Sequence, residues 1–204
     1  MEPGAILQVT NLKSVVSNLR QLFGWVTSAH IAVCSAVESH RPAEPVNGFP
    51  LHCIDGTLGQ KKLAFTLLSP RAVVEADNYL SLPSNLQGEL AQIIFRKRTR
   101  DVLGNPKADH LLTRSDAGEF ILCGVGLEHA IKALALGLRA REKNVTLVSD
   151  ACGYWSTADA DLAIRQMIAK GVKITNVAEI TAPQAPARRP GRPRRSLLRT
   201  RYPV

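Results

Sequence analysis

The side chains able to make or break bonds are few and widely spaced. Four cysteines, Cys34, Cys53, Cys123 and Cys152, stand far apart with no CxxC pair. Zinc knuckles and disulfide frameworks show short, repeated cysteine spacings, so neither is predicted here. Unpaired thiols fit a reducing, cytoplasmic setting. Cys123 falls inside the apolar run EFILCG (119–124), where a buried cysteine is usually an inert small apolar residue.

Positive charge is the other conspicuous chemistry. The chain has 26 Lys and Arg against 17 Asp and Glu, a net charge of +9. Seven arginines (Arg188, Arg189, Arg192, Arg194, Arg195, Arg199 and Arg201) lie in residues 182–204, which contain no acid. What precedes them holds 19 basic and 17 acidic residues, a net of +2, so the basicity belongs to the tail. A shorter basic cluster, Arg96, Lys97, Arg98 and Arg100, follows the apolar run QIIF (92–95). It is either a solvated surface run or one that sends a lysine into a cleft.

The elements that must hold such residues follow from periodicity. Val9, Leu12, Val15, Val16, Leu19, Leu22, Phe23 and Val26 recur at helical spacing, with Thr10 or Asn11 to cap the start. IAVCSAV (31–37) and QIIF read as strands, separated by a long stretch punctuated by Pro42, Pro45, Gly48, Pro50, Gly56 and Gly59. EFILCG is a strand, and Leu127, Ala130, Ile131, Leu134, Ala135 and Leu138 mark one helical face after it. VTLVSD (145–150) is a further strand; Thr157 is expected to cap the next helix, which ends at Lys170 and Gly171 before the strand KITNV (173–177). Strands alternating with helices predict a three-layer αβα domain around a parallel, Rossmann-like sheet over residues 1–180. Ligands in such sheets bind beyond the carboxyl ends of the strands. Here those ends are the loops around 36–60, 96–105, 124–130 and 150–156.

Those loops carry a resemblance. GVGLEHAIKALALGLRAREKNVTLVSDACG (124–153) resembles the signature of the isochorismatase-like cysteine hydrolases, the family that includes the nicotinamidases. Gly124, Val125, Gly137, Asp150 and Ala151 match its pattern. ESH (38–40), PLHCIDGTLGQK (50–61) and FRKRTRDVLGNP (95–106) are similar to its metal-binding loop, its His-Cys-x-x-Gly-Thr stretch and its lysine-bearing strand end. The likeness runs in order from about Pro3 to residue 180.

The resemblance implies hydrolysis of a small amide or related C–N bond by a cysteine at a helix N-terminus. An aspartate would take the thiol proton, a lysine would help to hold developing charge, and turn N–H groups would form an oxyanion hole. Lys97 is the retained lysine, and Gly124, Val125 and Gly126 form the turn. Ala130 stands at the nucleophile position, which closes the acyl-enzyme route. His129 beside it could polarise a ligand or hydrogen-bond locally. Glu38, His40 and His52 resemble the metal ligands of nicotinamidases and could hold zinc or iron, or serve as loop hydrogen-bond partners. The family's first, central strand and its aspartate precede a Pro-Gly-Ala stretch like Pro3-Gly4-Ala5, so that strand is expected to be missing here.

The tail, 181–204, is expected to be disordered, since a Pro/Arg-rich segment cannot bury a core. RPGRPRR (189–195) resembles an AT-hook, although Pro190 replaces its first core arginine. Arg189, Arg192, Arg194 and Arg195 are the candidate nucleic-acid contacts; the alternative is a solvated tail with salt-sensitive affinity for any polyanion. No apolar stretch is long enough to span a membrane, and no signal peptide is expected at the first residues. Three functions remain open: a hydrolase that replaces the missing cysteine, a non-catalytic and homo-oligomeric small-molecule binder or scaffold, and a nucleic-acid-associated protein acting through the tail.

Overall fold

The computed structural model describes residues 7–44, 49–77 and 90–183. Six strands and five helices alternate along them: α1 (Leu12–Ser28), β1 (Val33–Glu38), β2 (Arg71–Val74), β3 (Gln92–Lys97), α2 (Pro106–Arg114), β4 (Phe120–Val125), α3 (Lys132–Ala140), β5 (Val145–Gly153), α4 (Thr157–Ala169), β6 (Lys173–Thr175) and α5 (Val177–Ile180). Every strand pairing is parallel. One half-sheet has the order β1-β3-β2 and the other β4-β5-β6. Among the described residues neither β1 nor β4 pairs with a second strand. Both strands instead line one cavity of about 2250 Å3.

Helices cover both faces of these sheets. Val15, Leu19 and Leu22 of α1 and Val177 of α5 pack with Val148 and Ala151 of β5. On the opposite face Leu138 of α3 and Ala163 and Met167 of α4 bury Leu122 and Leu147. This is the expected three-layer arrangement, and it leaves strands buried on both sides nearly continuous in apolar residues. A smaller cluster of Val74, Phe95, Val102 and Ala108 fills the β2–β3 half.

Several boundaries differ from the sequence expectation. Ser156, not Thr157, caps α4, its hydroxyl accepting from Asp159 N–H. Asn11 precedes α1 without capping it; its side chain instead donates to the Cys152 carbonyl and accepts from Tyr154 N–H. These tethers, with Thr10 N–H donating to the Tyr154 carbonyl, accompany a β5 that runs to Gly153 rather than stopping at Asp150. β2 and α2 were not foreseen from the sequence.

Candidate functional site

The carboxyl ends of β1 and β3 bring Glu38 and Lys97 together. Lys97 is buried, and its ammonium donates to Glu38 Oε1 and, at 3.0 Å, to the Thr99 carbonyl. Of the two readings of the basic cluster, the inward-pointing lysine is thus the one observed for Lys97. Its neighbours hold acids outside: Arg96 lies 3.3 Å from Glu75, and Arg98 3.4 Å from Glu44. Burial pulls the Lys97 amine below the usual lysine range while Glu38 opposes that shift. Burial alone would raise the Glu38 carboxyl, but Lys97 and His52 outweigh it and hold the group low.

His52 completes this cluster. Its Nδ1 lies 2.8 Å from the Pro50 carbonyl and its Nε2 2.8 Å from Glu38 Oε2. A carbonyl only accepts, so Nδ1 carries the proton that it shares with Pro50. A neutral ring then leaves a lone pair on Nε2 facing a carboxylate oxygen. A ring proton on Nε2 would instead donate to that oxygen. Cys53 follows in sequence at a left-handed φ of 48°, and ligand atoms of Glu38, His52 and Cys53 all lie within 4.8 Å of one another. His40 sits beside this group rather than within it. Its Nε2 is 3.8 Å from Glu38 Oε2, and its buried Nδ1 has no hydrogen-bond partner among the described residues, with Glu44 3.8 Å away. The convergent trio is therefore Glu38, His52 and Cys53, where the sequence pointed to Glu38, His40 and His52. The adjacent His-Cys pair was the available signal for the thiol.

The second wall is the turn after β4. Gly126 adopts a φ of 85°, a left-handed conformation that favours glycine, and leads into a π-helical turn over Leu127–Ile131. Its N–H is committed to the Gly153 carbonyl at 2.9 Å, so of the three turn residues expected to form an oxyanion hole Gly126 offers no free donor. Ala130 is half-buried and lines the cavity with Val125 and Gly124. Glu128 is turned away, Oε1 accepting from Trp155 N–H at 2.7 Å and Ser156 N–H at 3.2 Å. Asp150 accepts from Val177 N–H at 2.9 Å at the start of α5, whose cap is Asn176. Burial pushes the Cys123 thiol up to about 11, and burial also raises the Cys152 thiol well above its ordinary value.

Aromatic rings connect the two walls. Phe49 lies 6.0 Å from the His52 ring, 5.5 Å from His129 and 5.6 Å from Trp155, all centroid to centroid. The Arg100 guanidinium stacks 4.5 Å over Phe49. His129 is thus part of a ring cluster over Ala130, and burial followed by the Arg100 charge lowers its affinity for a proton. Phe49 and Trp155 were not anticipated, because an aromatic in an irregular loop gives no periodic signal. Arg189, Arg192, Arg194 and Arg195 lie outside the described residues.

Residues 2–179 match the family described as the Isochorismatase domain. No curated protein sequence matches the chain. Solved structures do. An isochorismatase-like hydrolase from Alkaliphilus metalliredigens superposes with a TM-score of 0.70 at 17% identity, covering 88% of this chain and 90% of its own. The pyrazinamidase of Pyrococcus horikoshii, solved in complex with zinc, gives 0.65 at 17% identity over 86% and 92%. The nicotinamidase/pyrazinamidase PncA from Bacillus subtilis gives 0.64 at 15% identity over 81% and 86%. At such identities the structural likeness establishes the fold, and the domain match spanning most of the chain establishes the kinship: this chain belongs to the isochorismatase-like hydrolase family.

Proposed function

We propose that this chain is a small-molecule-binding member of its family that does not use the cysteine route. The observation that carries the reading is Ala130, a methyl group lining the cleft within the π-helical turn. Nothing near it replaces a thiolate. Cys152 is buried and Cys123 half-buried, both with raised thiols, and burial and the Glu38 charge also raise Cys53 despite Lys97. What remains is a cleft floored by Ala130, walled by the Glu38–Lys97–His52 cluster and covered by Phe49, His129 and Trp155. Flat rings suit such a wall, and polar groups at one end orient a small amide. Two structural neighbours are named for nicotinamide and pyrazinamide hydrolysis, which makes these compounds the natural probes.

The residues present also fit a divalent ion. Glu38, His52 and Cys53 would hold it, with His40 alongside. Such an ion would anchor and polarise a ligand heteroatom. Lys97 holds Glu38 Oε1, which leaves Oε2, the oxygen that faces His52, for an ion.

Calorimetric titration with nicotinamide and pyrazinamide, run beside an ammonia-release assay, tests the reading. Saturable binding without ammonia release is expected. The Ala130→Cys variant should gain alkylation by iodoacetamide at the new thiol. Ammonia release by the unmodified protein above the buffer rate would refute the proposal.

A further inference from the structure

The loop that carries His52 and Cys53 is fastened to the end of β1 by contacts that involve neither side chain. His40 N–H donates to the Cys53 carbonyl at 3.0 Å and Asp55 N–H to the His40 carbonyl at 2.9 Å, a parallel bridge between His40 and Ile54. Asp55 also accepts from the Ser39 hydroxyl and, at 2.7 Å, from the Gln60 amide, which donates to Ser39 Oγ at 2.9 Å. Ser39 and His40 follow Glu38 directly in the chain, so these ties hold the carboxylate and the His52–Cys53 pair on one frame. Cys53 keeps its left-handed φ of 48° within that frame, a conformation that is costly for a side chain and concentrates where a ligand is gripped.

Three donors of different chemistry meet there: a carboxylate oxygen, an imidazole nitrogen and a sulfur, within 4.8 Å of one another. His52 Nδ1 is tied to the Pro50 carbonyl, so Nε2 is the nitrogen left to ligate, the tether by which metal-binding histidines are oriented. Lys97 occupies Glu38 Oε1, so the carboxylate has one oxygen to give and its charge is already balanced. A hard ion that wants several oxygens gains little from such a set. Sulfur decides the selectivity, because a thiolate favours softer ions. The Cys53 thiol is held only loosely among the described residues, 3.6 Å from the Gly59 carbonyl. His40 stands outside the 4.8 Å group and meets the His52 ring edge-on, with centroids 5.1 Å apart at 64°.

We propose that Cys53 ligates through its thiolate, beside Glu38 Oε2 and His52 Nε2, while His40 stays outside the coordination sphere and steadies the His52 ring. The cluster is then a site for zinc-class ions such as Zn2+ and Co2+ and rejects Mg2+ and Mn2+, which prefer oxygen donors. This rests on the reading above that the cluster takes a divalent ion, and adds which donors hold it and which ions they admit.

The metal-stripped full chain is titrated with Co2+ and followed by absorption. Binding should bring d–d bands in the visible and a sulfur-to-cobalt charge-transfer band in the near ultraviolet. Cys53→Ser should lose the charge-transfer band, and His40→Gln should keep it. A second measurement needs no variant: saturating Zn2+ should slow iodoacetamide alkylation of Cys53, mapped by peptide mass, by about tenfold or more. Mn2+ or Mg2+ at the same concentration should leave that rate unchanged. Visible bands without the charge-transfer band overturn the proposal and leave the divalent-ion reading standing. Absence of every band, with no heat of binding for Zn2+, overturns both. A charge-transfer band that survives Cys53→Ser or disappears in His40→Gln overturns the donor assignment. Equal protection of Cys53 by Mn2+, or none by Zn2+, overturns it as well.

Discussion

At the scale of single residues, two side chains give measurable handles on the cleft. Burial and then the Arg100 guanidinium hold His129 below the ordinary histidine value of about 6.5. Between that lowered value and about 6.5 the unfolded chain binds a proton that the folded chain refuses. Stability therefore falls as pH drops through this window and is insensitive to His129 above it. NMR titration of the ring should place its midpoint below the reference value, and Arg100→Gln should move it upward without restoring it, since burial remains. An unmoved midpoint would mean that the guanidinium has no influence there. The second handle is His52. Zinc should raise the melting temperature of the metal-stripped protein, and both His52→Ala and Cys53→Ser should weaken its binding by at least about tenfold. An unchanged zinc response in His52→Ala would place the metal elsewhere. Lys97, Ala130 and Glu38 were legible in the sequence because each sits at a strand end or turn whose pattern is local. Cys53 was not, because its convergence with Glu38 depends on a backbone reversal at a left-handed residue.

At the scale of elements, legibility followed apolar periodicity. α1 and the β4–α3–β5–α4 succession could be read because each buries a long apolar stripe or run. α2 is short and polar; its helical start rests on Asn105 and Pro106, a cap and a first-turn proline. β2 has only four residues, and Gln92 ties the segment before it into the sheet by accepting from Leu68 N–H and donating to the Thr66 carbonyl and Ser35. Such side-chain ties carry no sequence period. Asn105 is the strongest of them in α2. Its Oδ1 accepts from Lys107 and Ala108 N–H, while its Nδ2 donates to the Arg96 carbonyl at 2.9 Å. Asn105→Ala removes the cap and strands a carbonyl at the end of β3, a loss of about 1–3 kcal/mol. Urea unfolding should show a lower midpoint with an unchanged slope. An unshifted midpoint would mean that solvent replaces both contacts.

At the scale of the whole molecule, the order of strands and helices from β4 onward was legible and so was the division of charge. The folded part carries little free positive potential despite its basic cluster: Arg96 and Arg98 face Glu75, Glu44 and Asp55, Lys97 is buried on Glu38, and Lys107 pairs with Asp77 at 2.8 Å. With a net of +2 before residue 182, any affinity for a polyanion must come from the seven arginines beyond it. Each phosphate neutralised on duplex DNA releases condensed counterions, so full engagement of those arginines gives a log–log salt slope of about −6. Binding of random-sequence duplex should therefore weaken steeply with salt, and a chain ending at Thr181 should lose it while keeping its melting temperature. If A·T-rich duplex is held no more tightly than G·C-rich duplex at equal salt, RPGRPRR acts by charge rather than as a minor-groove hook. Retention of DNA binding by the shortened chain would instead move the interaction onto the folded domain, where the paired cations leave little to support it.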